Sequence, residues 1–399
     1  MNHVHRIVWN ELSGAWVVVP ETARSRGKGG ARRARRALAA ALLASGFTMP
    51  STSALGQTPA TTVVPASGNT TVYISPNGVP VVDIATANAS GLSHNRYNSY
   101  NVTANGLVLN NGNSSQMNRQ SQLAGQVSAN LNLVQEARVI LNEVVSTNRS
   151  ALNGFTEVLG GRADVIVANP NGISCDGCGF INTNRVTLTT GTSNIAGDGS
   201  LAGFTVNRGD VLIHGQGGNA SSQQIFDIVA RSVKLDGNVN TLATGSLGIT
   251  AGNNVWDYTS RNVSGSVAGS GAAPTFAIDS TTLGGMYAGR IRIIATEAGV
   301  GVRMRGDAAA SADDFTLSSA GAIEVQSAIS AARDLSVTST SATGVQDLWV
   351  NGAGAKLSAT HDLSLSASSG QVKLFEGALF AGNNLSVTAA SLSDVSTTN

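Results

Sequence analysis

The sequence predicts an all-β protein wound as a right-handed parallel β-helix (a solenoid), and three observations carry that expectation. Charged residues make up only 12% of the 399, about half the usual share. Amphipathic helices need charged faces, so a mainly helical chain is not expected. Polarity comes instead from Ser, Thr, Asn and 46 glycines, the chemistry of short strands joined by tight turns. Near the C-terminus a repeat emerges: ARDLSVT at 332–338, THDLSLS at 360–366 and GNNLSVT at 382–388. Its spacing of roughly 20 to 30 residues is that of solenoid coils. One coil cannot bury its apolar face alone, and stacking on neighbours makes a continuous core. A β-sandwich array, the competing architecture, predicts separate core units of about 100 residues. With 42% hydrophobic residues and a net charge of +1, disorder is not expected.

The N-terminal residues read as a leader. Basic side chains crowd residues 24–36 and precede LAAALLA at 38–44, a positive segment followed by a short apolar one. That length fits a signal peptide and falls short of the ~20 residues of a membrane span. Ala54 and Gly56 supply small residues at −3 and −1, which places cleavage after Gly56. Removing residues 1–56 takes away eight basic and two acidic side chains and leaves 17 basic and 22 acidic ones, a net charge of about −5. Such a chain has no general attraction for nucleic acid or anionic membranes, so no nucleic-acid partner is expected.

Beyond the leader, strand-like runs stand at 79–84, 107–109, 139–145, 155–159, 201–206, 211–213 and 225–229, then at 233–235, 291–294, 300–304 and 323–325. Glycine or Asn-Gly separates most of them. The stretch SRNVSGSVAGSGAAP at 260–274 reads as a loop or an excursion from the helix. The repeat continues to the end, with neither a polar capping coil nor a stop signal, as in a truncated or short member of a longer class.

The most informative stretch is VIVANPNGISCDGCGFINTNRVTLTTG at 165–191. In Asn169-Pro170-Asn171-Gly172, Pro170 pre-sets φ for the second position of a β-turn. Asn171 and Gly172 suit the positions that follow, and the Asn169 side chain can bond the turn backbone. Flanking β-branched runs make the segment strand, turn, cysteine-bearing loop, strand. Cys175 and Cys178, the only two cysteines, admit three readings. Zinc needs four ligands, and no second pair or His-x₃₋₅-His is present. A redox pair needs a helix N-terminus in a thioredoxin-like context. A structural disulfide needs an oxidising compartment, which the leader supplies.

This stretch resembles the secretion domain of two-partner secretion exoproteins, the family of filamentous haemagglutinins and contact-dependent inhibition toxins. The family's Asn-Pro-Asn-Gly-Ile motif stands unbroken at Asn169, Pro170, Asn171, Gly172 and Ile173, and a Cys-x-x-Cys-Gly-Phe-Ile-Asn-Thr run follows at 175–183. GLSHN at 91–95, NRSALNG at 148–154 and FDIVAR at 226–231 are also similar to the family's pattern. A second motif, Asn-Pro-Asn-Leu, appears as Asn130, Leu131, Asn132 and Leu133, with leucine where the family carries proline. Residues 1–28 resemble the extended signal peptide region of very large type V exoproteins.

The resemblance implies a leader at 1–56, a β-helical secretion domain at 57–310 and further coils at 311–399. It implies export from a Gram-negative bacterium through the periplasm to the medium or the cell surface. The partner it implies is an outer-membrane β-barrel transporter whose periplasmic domains recognise the N-terminal domain, and the turn at Asn169–Ile173 is the candidate recognition or folding-nucleus turn. The function implied is that of a filamentous haemagglutinin-like adhesin, with a host or bacterial cell-surface receptor as a further partner. The alternative is the truncated N-terminal part of a contact-dependent growth inhibition toxin.

No catalytic, cofactor or metal-ligating residue is expected. Carbohydrate-active enzymes on β-helices gather carboxylates on neighbouring coils. Here Asp313-Asp314 is the only adjacent pair outside the leader, and His94, His214 and His361 are scattered. Arg208-Gly209-Asp210 and Arg305-Gly306-Asp307 match the integrin-type tripeptide, and both also suit an ordinary Gly-Asp turn beside a strand.

Overall fold

A computed structural model describes residues 5–10, 15–20, 62–115, 117–340 and 347–395. All regular elements among them are strands. The contacts divide the chain into two units, 1–60 and 61–399. In the first, His5–Asn10 and Ala15–Pro20 form an antiparallel hairpin with Trp9 opposite Trp16. The hairpin is not expected from the sequence, where only a resemblance to the extended signal peptide region marks this segment. The basic and apolar segments of the expected leader, at 24–36 and 38–44, and the cleavage at Gly56 lie outside the described residues.

The second unit is the parallel β-helix expected from the sequence. Each coil supplies one strand to each of three faces, and equivalent strands stack in parallel. The first face runs from Leu92–Tyr100 through Val139–Val144, Asp164–Ala168, Arg185–Thr189 and Ile225–Ala230. It continues through Ser246–Ala251, Arg290–Ala295, Phe315–Ser319 and Leu335–Ser339 to Leu363–Phe375 and Leu385–Val395. The repeat seen in the sequence is this ladder: Leu335, Leu363 and Leu385 lie in register. The second face starts at Ser150–Leu152 and the third at Pro80–Asp83.

Registers stay constant because every strand alternates. Val165 and Val167 point inward while Ile166 and Ala168 point outward, so a one-residue slip would exchange core for surface. The inward side chains form one core running from Val63 to Val372. That continuity excludes the sandwich array, whose cores would be separate.

Edges are handled with antiparallel strands at the N-terminal end. Val63–Ser67 lies against Leu92–Tyr100, and Thr71–Ile74 against Pro80–Asp83, which covers strand edges that would otherwise be open to pairing. Two excursions leave the helix. The hairpin of Asn118–Ser121 and Gly125–Ser128 covers Val81, Val108 and Leu159. A four-stranded antiparallel sheet of Thr192–Ile195, Leu201–Val206, Asn254–Asp257 and Val263–Ser266 covers Leu141, Ile166 and Val229 on the first face.

The strand-like run at 201–206 is a strand of the excursion sheet rather than of the helix. Of the two readings of 260–274, loop or excursion, the structure takes the excursion: Val263–Ser266 is its edge strand; its serines and glycine carry no apolar alternation, and pairing with Asn254–Asp257 alone makes it extended.

Candidate functional site

The Asn169-Pro170-Asn171-Gly172 turn is the corner between the first and second faces, and Ile173 begins the next strand. Asn169 is fully buried. Its Oδ1 accepts from the Asn171 amide at 3.0 Å, and its carbonyl accepts from the Gly172 amide at 3.0 Å. Its Nδ2 donates to the Asn148 carbonyl and the Ser150 hydroxyl of the preceding coil, at 2.9 and 3.0 Å. The Asn169 amide donates to Thr189 of the following coil at 2.8 Å. One asparagine thus closes the turn and ties three coils together, satisfying groups that burial would otherwise leave costly.

Asn171 extends the same pattern, its Nδ2 donating to the Ser146 carbonyl at 2.7 Å. Arg149 lies across the turn. It donates to the Asn171 carbonyl at 3.1 Å and forks onto Asp210 at 2.7 and 2.9 Å. That carboxylate raises the Arg149 pKa still further above its ordinary value. Gly172 sits under the guanidinium at φ +107°, where a Cβ would meet Nη1 at 2.2 Å. Gly209, at φ +80°, faces the Pro170 carbonyl in the same way.

These contacts also place the first integrin-type tripeptide. Gly209 and Asp210 are engaged by the corner, through Pro170 and Arg149. In the second, the Gly306 amide donates to Ser280 and the Asp307 carboxylate accepts from the Ala328 amide. The first joins the excursion sheet to the strand that starts at Asp210, and the second is the corner between Gly301–Met304 and Ala308–Ala310 of one coil.

The Asn130–Leu133 segment folds the same way without its proline. Asn130 is fully buried, Oδ1 accepts from the Asn132 amide at 2.9 Å, and its carbonyl accepts from Leu133 at 3.2 Å. Its Nδ2 bonds the Ile84 and Asn110 carbonyls. Leu131, where the family carries proline, is exposed. The asparagines make this turn, and a proline would only pre-set its backbone.

Cys175 and Cys178 form a disulfide at the corner between the second and third faces, both buried in the core. Gly177 between them takes φ +76°, and Asp176 accepts from the Gln216 amide of the next coil. Replacing both cysteines by alanine is expected to lower stability by about 2 kcal/mol, the loop-closure entropy of so short a ring. Chemical denaturation of the double variant checks this, and an unchanged midpoint would contradict it.

FDIVAR at 226–231, similar to the family's pattern, carries no local signal of its contacts. Phe226, Ile228 and Ala230 face the core and Val229 lies under the excursion sheet. Asp227 pairs with Arg185 at 3.2 Å and with Arg261 at 2.7 Å. Arg185 in turn donates to the Tyr258 carbonyl and stacks 3.8 Å from that ring's centroid. The Tyr258 hydroxyl donates to Asp164 at 2.7 Å; burial above all holds the phenol far above its ordinary range, with Arg185 pulling it down and the Asp164 and Asp227 carboxylates pushing it up. Arg231 pairs with Glu297 at 2.9 Å. This network bolts the excursion sheet to the helix. Among the described residues no group of three His, Cys, Asp or Glu stands close enough to hold a metal ion.

A β-helix whose corners are buried asparagine turns, with an antiparallel cap and an ion-paired outer sheet, defines a class of β-solenoid exoprotein domain. The family model described as "TPS secretion domain" matches residues 57–325, and that of the "Extended Signal Peptide of Type V secretion system" matches 1–49. The chain belongs to the TPS secretion domain family. It is similar to a solved filamentous hemagglutinin secretion domain, with 35% identity and a TM-score of 0.66, over 82% of this chain and 99% of that one.

Among curated proteins, "Toxin CdiA" of Yersinia pestis is 39% identical over 351 residues, which is 85% of this chain and 10% of that protein. A "16S rRNA endonuclease CdiA" of Enterobacter cloacae is 45% identical over 300 residues, 75% of this chain and 9% of that protein. The chain spans about a tenth of the length of the curated relatives it matches. Its leader and domain are those of type V secretion, through the periplasm to the cell surface or the medium.

Proposed function

We propose that this chain is the export module of a larger haemagglutinin- or toxin-like exoprotein, and that Asn169–Ile173 is read by the transporter's periplasmic domains before the chain folds. The observation that carries this is burial. Asn169, Pro170, Gly172 and Ile173 are all buried and Asn171 is half-buried, so the folded domain presents almost nothing of the motif to a partner. An unfolded chain exposes all of it, and extended segments pair readily with a sheet edge. Outside the cell the same residues join three coils, which suits a nucleus from which stacking spreads to neighbours. Folding outside then draws the chain outward.

The adhesive or toxic activity belongs to the longer product. The relatives' names speak of toxins and nucleases, and an adhesin with a cell-surface receptor is the reading the haemagglutinin likeness favours. The small Cys175–Cys178 ring fits this scheme, since a ring of four residues threads a narrow pore that a long-range crosslink would block.

The test is secretion from a Gram-negative host carrying the cognate transporter. Asn169→Ala and Asn171→Ala are expected to lower release into the medium about tenfold or more, equivalent to about 1.4 kcal/mol or more of lost recognition. Refolding rates of the purified variants separate the two roles. Unimpaired refolding with lost secretion assigns recognition, and slowed refolding in proportion assigns nucleation. Wild-type secretion by both variants would overturn the proposal.

A further inference from the structure

The outward side chains of the second face form a row in strict register: Lys234, Asp279, Arg303, Glu324, Trp349 and Lys373. Stacked strands lie about 4.8 Å apart, so the row is about 24 Å long. Along it run recesses that share walls. One of about 190 Å³ lies between Lys234 and Phe276, one of about 290 Å³ between Phe276 and Trp349, and one of about 250 Å³ between Trp349 and Phe375. The first two lie on the Phe276 side of the row and the third on the Phe375 side, so together they trace a grooved path along the helix axis that crosses the row at Trp349. Trp349 is 39% exposed and Phe375 44%.

We propose that this groove binds a neutral, linear glycan lying along the axis. Sugar rings present flat C–H faces that pack on aromatic side chains and hydroxyls that need fixed hydrogen-bonding partners, the combination of apolar wall and few placed polar groups typical of ligand sites. The rings here are held in place, since the Arg303 guanidinium lies 4.3 Å from the Phe276 centroid and the Lys373 ammonium 4.7 Å from that of Trp349. Beside Trp349, Gln326 and Asn351 both donate to Glu324, at 2.7 and 3.2 Å, forming a fixed polar set.

The spacing fits too. The strand repeat is close to the axial length of one sugar in an extended chain, so successive coils meet successive sugars. Charge selects the neutral class. Arg303 is forked onto Asp279 at 2.9 and 2.9 Å and Lys373 lies 3.5 Å from Asp347, while Lys234, which makes no ion pair among the described residues, is matched along the row by Glu324, so the groove offers no net charge to a polyanion. The groove lies away from the Asn169 corner, and its use does not depend on the route of export.

The purified chain, titrated with cellohexaose, chitohexaose and a heparin hexasaccharide and followed by calorimetry and tryptophan fluorescence, tests this. At least one neutral hexamer is expected to bind saturably, with Trp349→Ala and Phe276→Ala each weakening it about tenfold and Trp349→Phe restoring most of the affinity. Trp349 is on the surface, so unchanged thermal melting of the variants shows that the fold is intact. A variant that fails to melt normally is replaced by Phe375→Ala. Binding of neither neutral hexamer, binding of heparin alone, or affinity unchanged by these variants would overturn the proposal. So would a Trp349-dependent dimer in sedimentation, since a second copy would then fill the groove.

Discussion

Replacing Asp227 by alanine is expected to destabilise the domain by about 3–5 kcal/mol, the loss found when one partner of a buried ion pair is removed. Asp227 is 2% exposed and Arg185 8%. Without the carboxylate, Arg185 and Arg261 would face each other across a desolvated gap, with Arg292, already lowered by burial and by Arg261, close behind. The geometry is prepared for the carboxylate: at Gly248, beside it in the ladder, a Cβ would come within 2.5 Å of Oδ1. The readout is tryptophan fluorescence during urea unfolding, because buried Trp256 stands 5.7 Å from the Arg185 guanidinium. Solenoids need not unfold in one step, and an early transition releasing the excursion sheet is the expected form. A shift below about 1 kcal/mol would show the pair to be replaceable without cost, as some buried pairs are. Asp227→Asn, which keeps an acceptor and loses the charge, should fall between.

Gly172→Ala is expected to cost about 2–3 kcal/mol, from a backbone that non-glycine residues rarely adopt and a direct collision. The φ of +107° and the 2.2 Å approach to Arg149 are independent faults. Arg149→Ala in the same chain should therefore recover only the collision. A double-mutant cycle by chemical denaturation separates the two, with a coupling of about 1 kcal/mol expected. Full additivity would show that Arg149 swings aside, which its half-exposed position beside Asp210 permits.

How much of this was legible varied with the range of the interaction. The coil repeat was readable because Leu335, Leu363 and Leu385 occupy equivalent inward positions, and a solenoid writes its contacts as local periodicity. The Asn169 turn was readable because an asparagine bonding its own backbone two residues on is a local event. The disulfide was one of three open readings, chosen by what the surroundings lacked. The Asp227 network was not legible. Asp227, Arg185 and Arg261 are 42 and 34 residues apart in sequence, and nothing local marks them as partners.

The excursion sheet shows the same division. The strand at 201–206 has the alternation of any coil strand, so sequence alone could not say that it leaves the helix; the outward apolar side chains Ile166 and Val229, which need a cover, decide that. Asn130–Leu133 carries the reverse lesson. A missing proline marked it as a departure, yet its buried asparagine makes the same turn, because burial penalises an unpaired amide more than a flexible φ costs. By itself the sequence determined the all-β class, the coil period and the corner chemistry, all set by neighbours along the chain. Only the tertiary structure decided which carboxylate meets which guanidinium, which strands leave the helix and where the aromatic groove runs. Those depend on groups that stacking brings together from separate coils.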